Sequence, residues 1–183
     1  MMNESLDFSP EDIELMLSNL DVFNETEALE IDRMVDELNN RTANASAYND
    51  LIEFCKLMMP EFIVGKHHRI LADMLMAIER GEKDRICVNI PPRHGKSQLV
   101  SIFFPAWFLG RNPGKKVMMV SHTTDLAVDF GRKVRNLIAS DDYRAIFPTV
   151  KLAQDSKSAG RWNTNVGGEY YACGIGSALA GRG

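Results

Sequence analysis

Apolar residues recur along this chain first at the spacing of helices and then at that of short strands, and the change divides it. Ser9-Pro10-Glu11-Asp12 carries a capping serine, a proline at the first helical position and acids in the first turn. Ile13, Leu17 and Leu20 follow on one helical face. Ala28, Ile31, Val35 and Leu38 line up within residues 25–39 and predict a second amphipathic helix. These two helices either form a hairpin that binds a partner or fold back on the core. Residues 41–46 are small and polar and read as a linker. A third helix is predicted over 46–59, stopping before Pro60. A fourth, over 66–80, buries Leu71, Met74, Leu75 and Ile78 and is capped by Gly81.

From residue 85 the pattern shifts. Ile86, Val88 and Ile90 read as a buried strand, and residues 97–109 as an apolar helix carrying Phe103, Phe104, Trp107 and Phe108. Pro105 should kink that helix, and Gly110 should end it. Residues 116–121, with Val117-Met-Met-Val120, predict a second buried strand. Thr124 then caps a helix through Ala127, Phe130, Val134 and Ile138. Strand, helix, strand, helix with short apolar strands predicts an α/β fold, a parallel sheet covered on its faces. Beyond Pro148 a short hairpin is expected, turning at Gly167-Gly168, and residues 174–183 are glycine-rich and read as flexible.

Charge adds an asymmetry that the net value of −4 conceals. Residues 1–40 hold twelve Asp/Glu against Arg33 alone, whereas residues 41–183 hold thirteen acidic and twenty basic residues. The first segment repels nucleic acid and the second attracts it, although a surplus of that size is also common on solvated surfaces. No apolar run is long enough to span a bilayer, and the acidic start does not resemble a secretory signal. Cys55, Cys87 and Cys173 are isolated in sequence, which points to free thiols in a reducing cytoplasm rather than to zinc.

The candidate chemistry lies in Pro91-Pro-Arg-His-Gly-Lys-Ser-Gln98. A strand running into a tight loop, with Gly95-Lys96-Ser97 opening a helix, is the arrangement that holds nucleotide phosphates. Backbone N–H groups point inward, Lys96 reaches the β/γ-phosphates, and the Ser97 hydroxyl ligates Mg²⁺. The first glycine of the full pattern is replaced by Ile90. The alternative is an ordinary strand-turn-helix with an exposed lysine.

These segments together resemble a known family. The resemblance runs through Pro91-Pro-Arg-His-Gly-Lys-Ser97, Phe104-Pro-Ala-Trp107, Val120-Ser-His-Thr-Thr-Asp-Leu-Ala127, Tyr143-Arg-Ala-Ile-Phe-Pro148, Trp162 with Gly167-Gly168, Gly174-Ile-Gly176 and Gly181-Arg-Gly183. In order and spacing they are similar to the ATPase domain of the large terminase subunit of tailed bacteriophages, the motor that packages viral DNA. The resemblance implies a P-loop NTPase of the RecA-like class, with residues 46–183 an incomplete ATPase domain and residues 1–45 an acidic helical extension. It further implies that ATP and Mg²⁺ are held by Pro92, Arg93, His94, Gly95, Lys96, Ser97 and Gln98. Lys96 would sit on the phosphates, Ser97 on the metal, and Arg93 on the γ-phosphate. Arg93 alternatively holds the loop through a salt bridge. His67 and His68 fall where related motors contact adenine, or else are surface histidines. His94 either touches a phosphate or fills space.

Implied partners are double-stranded DNA, a portal protein, a small terminase subunit and further copies of the chain, all in the host cytoplasm with no membrane. Arg132, Lys133, Arg135, Arg161 and Arg182 are candidates for phosphate contacts, or form a solvated basic face. The chain departs from the family at Ser177-Ala-Leu-Ala180 and does not reach the acidic Walker B strand that normally lies beside the phosphate-loop strand. The expectation is that these 183 residues alone bind ATP–Mg²⁺ weakly and hydrolyse it barely. The rival readings are a non-catalytic fragment acting through its N-terminal helices, or an unrelated P-loop kinase or GTPase.

Overall fold

The computed structural model describes residues 12, 15, 18, 24–154 and 158–176. The helix expected from Ser9 through Leu20, except for residues 12, 15 and 18, lies outside the described residues, as do the glycine-rich end after Gly176 and Arg182. The chain divides into two units, Met1–Ala43 and Asn44–Gly183.

One long helix, α1 (Glu25–Asn49), runs across that division. The linker expected at 41–46 is therefore not there. Ala43, Ala45 and Ala47 favour helix, and the break comes instead at Asp50. The Asp50 carboxylate accepts from the Ile52 and Glu53 amides and so starts α2 (Leu51–Met58). Arg69 braces the same carboxylate at 2.7 Å. Helix α3 (Lys66–Glu79) follows, close to its predicted span. It buries Leu71, Ala72, Leu75 and Met76, while Met74, predicted inside, is exposed.

A continuous helical stretch then comprises α4 (Lys96–Gln98), a π-helical turn (Leu99–Phe103) and α5 (Phe104–Arg111). Pro105 has no N–H to give to the carbonyl one turn back, and the Phe104 N–H reaches Leu99 O across the widened turn. The proline effect thus takes the form of a π turn, and the helix passes Gly110 to end at Arg111. Its buried side meets an aromatic core of Phe54, Phe103, Tyr143 and Phe147. The Trp107 indole donates to Ala47 O at 3.0 Å, and the Tyr143 hydroxyl to Ala106 O at 2.9 Å.

The sheet is small and mixed, which corrects the expectation of a parallel one. Strand β1 (Lys116–Ser121) pairs in parallel with β3 (Glu169–Gly174), from Lys116↔Glu169 to Ser121↔Gly174. Strand β2 (Arg161–Asn163) pairs antiparallel with β3, giving the order β1-β3-β2. The turn joining β2 to β3 is the expected hairpin: Gly167 takes φ 85°, and Thr164 and Gly168 exchange hydrogen bonds. Helix α6 (Thr124–Ala139), capped by Thr123 rather than Thr124, covers one face of the sheet. Trp162 stacks on Tyr170 at 4.8 Å and donates to Gly131 O on α6. On the other face Met118 and Val120 stay about half exposed, so β1 is not the buried strand predicted. The short helix α7 (Asp141–Ile146) closes the core through Tyr143 and Ile146.

Residues 85–90 also depart from expectation. They are extended, with Ile86, Val88 and Ile90 half-buried against the core and Arg85, Cys87 and Asn89 exposed, but they form no strand. Alternation sets which way the side chains face. A strand further requires a partner backbone, and none lies beside this segment among the described residues.

Candidate functional site

The extended segment delivers the chain to a loop that is wrapped around a cavity of about 160 Å³, lined by residues 91–98. Two prolines stiffen the approach. Arg93 then adopts φ 64°, a left-handed conformation that a long side chain rarely takes. Gly95 follows at φ 71° and ends the loop as the cap of α4. Helix starts leave N–H groups without intrahelical partners, and the first helical residues, Lys96 to Gln98, line the same cavity. The predicted binding residues Pro92, Arg93, His94, Gly95, Lys96, Ser97 and Gln98 all line this one cavity.

Their individual settings differ. Lys96 is half-buried, and its Nζ lies 3.4 Å from Ile90 O, so the ammonium spans the neck of its own loop. Ser97 is exposed. Arg93 is exposed and, among the described residues, has no carboxylate partner, so the salt bridge considered for it is not formed. His94 points Nδ1 at Pro92 O, 2.8 Å away, an internal brace for the loop. No acidic residue lines the cavity, and no group of three or more His, Cys, Asp or Glu able to hold a metal occurs among the described residues.

The two histidines at the start of α3 lie beneath the loop. His68 is buried, and its Nδ1 accepts from the Gly65 N–H at 3.0 Å, the half of a capping box that the third helical residue supplies. Its Nε2 is 3.0 Å from His94 O and 3.1 Å from His67 Nε2. Burial lowers the His68 pKa below its usual value, with the bond to His94 O opposing and the neighbouring His67 and His94 reinforcing the shift. A buried ring with both nitrogens engaged is not free to stack on a base, contrary to the adenine role considered for it. Residue spacing does not reveal this setting, although a histidine three positions after a helix-starting glycine is the one clue in the sequence.

A larger groove of about 430 Å³ lies between the end of α2, the π turn and α6. Met58, Met59, Phe103 and Leu137 form its apolar wall, and Gln98 is shared with the loop cavity. Sequence reasoning did not foresee it, because its walls come from three separate segments.

The candidate basic residues are largely engaged. Arg132 and Lys133 both pair with Asp129 on the same helix, and Arg161 pairs with Glu169 across the hairpin. The hydrogen bond from Lys133 holds the Asp129 carboxyl below its ordinary value. Among the described residues no helix is long and apolar enough to cross a membrane.

Residues 87–161 match the sequence model of a family described as terminase large subunit, T4likevirus-type, N-terminal. The matched stretch begins at Cys87, contains the whole loop and ends at β2. Over it, the resemblance read from the sequence is borne out. No curated protein and no solved structure matches the chain.

Proposed function

We propose that this chain, which carries the N-terminal pattern of terminase large subunits over residues 87–161, binds the phosphates of ATP at residues 91–98 and serves in packaging duplex DNA. The observation that carries the reading is the loop itself: eight consecutive residues close around a cavity at a helix start, with Lys96 across its neck. A cavity of about 160 Å³ is smaller than the ~300–1,000 Å³ pockets that enclose drug-sized ligands, and it suits one phosphate group rather than a whole nucleotide.

The residues fit such a group in charge as well as size. Lys96 exchanges a long contact with a neutral carbonyl for a phosphate oxygen, and the cationic Arg93 is held on the loop with no carboxylate to neutralise it among the described residues. Its left-handed backbone is the kind of local strain that persists where a side chain must be aimed. Ser97, exposed at the first helical turn, is the proposed hydroxyl ligand for the Mg²⁺ that accompanies ATP. Bound Mg²⁺ supplies charge neutralisation to the phosphates. Since no carboxylate lines the described cavity, nothing in its wall positions an attacking water, and the chain is proposed to bind ATP far better than it hydrolyses it. Contact with the DNA backbone is assigned to Arg132 and Lys133, whose shared Asp129 leaves one net positive charge on that turn.

Calorimetric titration of the full chain with Mg·ATP tests this reading. Measurable binding is expected, weakened about ten- to hundredfold by Lys96→Ala, the loss expected for a charged hydrogen bond. Equal affinity in the two proteins would overturn the phosphate site.

A further inference from the structure

Residues 90–95 are held little by their own backbone. Among the described residues, no backbone–backbone hydrogen bond ties 91–94 to the rest of the molecule. Apart from Lys96 Nζ on Ile90 O and the Leu99 N–H on Gly95 O, both from the helix that the loop itself starts, the polar contacts reaching 90–95 from another element come from His67 and His68. Of the two, His68 is the shorter and the better fixed. Because Nδ1 accepts the Gly65 N–H, the ring proton sits on Nε2, and His68 is the donor to the His94 carbonyl. His67 Nε2 lies 3.1 Å from that nitrogen and 3.3 Å from His94 O; as an acceptor of the His68 proton it has none to give the carbonyl, so the bond to the loop is that of His68.

The ring is also clamped from below. Phe62 packs on it at 5.0 Å between centroids, and Phe103, in the π turn, packs on Phe62 at 5.6 Å. Above it, the ring touches Gly95 so closely that a Cβ there would stand 2.4 Å from Nε2. A rigid core column therefore ends against the loop at the residue before Lys96.

We infer that His68 is a positioning residue for the phosphate loop: by donating to the His94 carbonyl, it sets where Gly95 and Lys96 stand when phosphate arrives. This rests on the reading of residues 91–98 as a phosphate site. His68 touches no ligand itself. Its two nitrogens separate two tasks, Nδ1 capping α3 and Nε2 holding the loop, and that separation makes the assignment testable.

An asparagine reaches only as far as Nδ1, so His68→Asn keeps the cap and drops the loop. A glutamine reaches Nε2, so His68→Gln restores the donor to His94 O. In the full chain, we measure the thermal midpoint without nucleotide, Mg·ATP affinity by calorimetry, and amide hydrogen exchange at residues 93–97. His68→Asn should lose roughly tenfold in affinity and exchange roughly tenfold faster, the worth of one hydrogen bond, at a near-unchanged midpoint. His68→Gln should recover most of both. Wild-type behaviour in both variants overturns the inference, as do equal losses in both that follow their midpoints, the mark of a merely structural ring. If the wild type binds no Mg·ATP and Lys96→Ala changes nothing, the phosphate reading falls by itself. Exchange still decides the latch: faster exchange in His68→Asn than in His68→Gln upholds it, and equal rates overturn it.

Discussion

Residues 86–90 and 169–174 are both short apolar runs, and they end in opposite circumstances. Strand β3 has β1 along its full length on one side and β2 on the other, with Tyr170 and Ala172 buried beneath α6. The run at 86–90 alternates half-buried Ile86, Val88 and Ile90 with exposed Cys87 and Asn89, and has no ladder on either side among the described residues. The difference teaches that side-chain burial and backbone pairing are separate contributions. β3 is held by both, whereas the approach to the phosphate loop is held by apolar contact and, at its end, by the long Lys96 Nζ contact on Ile90 O. A segment held in that way can shift without breaking a backbone ladder, which suits a loop that must close on a ligand.

The comparison can be broken most sharply by removing one side chain from each region. Tyr170→Ala, which strips the buried ring stacked on Trp162, should cost about 3–5 kcal/mol, and Val88→Ala only about 1 kcal/mol, in chemical denaturation. Similar costs would mean that 86–90 is as firmly built as β3. Amide exchange sharpens the same contrast without mutation: the amides of 170–174 should be strongly protected, while those of 86–90 exchange near the rate of open chain. The smallest effect concerns pH. Burial lowers the His68 pKa, so between its folded value and the usual 6.5 the unfolded chain binds more protons. The contribution of neutral His68 is present above about pH 6.5 and lost as pH falls through the folded value, with His67 and His94 as the facing titratable groups. A thermal midpoint that declines on acidification in the wild type, and declines less in His68→Gln, is the expected result.

The parts legible in the sequence were those governed by local rules. Leu71 and Leu75, with Gly81 after them, mark α3, and the glycine pair at 167–168 marks the hairpin. The loop residues 91–98 were legible as a group, because a contiguous motif becomes a contiguous cavity. What stayed hidden depends on distant partners. Whether 86–90 becomes a strand is decided by what lies beside it, and the parallel neighbour that β3 takes, β1, comes from about fifty residues earlier in the chain. The helix through 41–46 is hidden because its small polar residues have the composition of a linker, which the alanines among them and the Asp50 cap outweigh. For His68 the sequence leaves an adenine contact and a surface position open, and the packing of Phe62 against it shows a third setting, underneath the loop.

Gly95 carries a double prohibition: a left-handed backbone and an imidazole where its first side-chain carbon would stand. Replacing His68 by something smaller lifts only the second of these. The two positions are therefore not exchangeable partners in sequence drift. Lineages can lose the histidine and keep the glycine, but a lineage that loses the glycine gains nothing by changing residue 68.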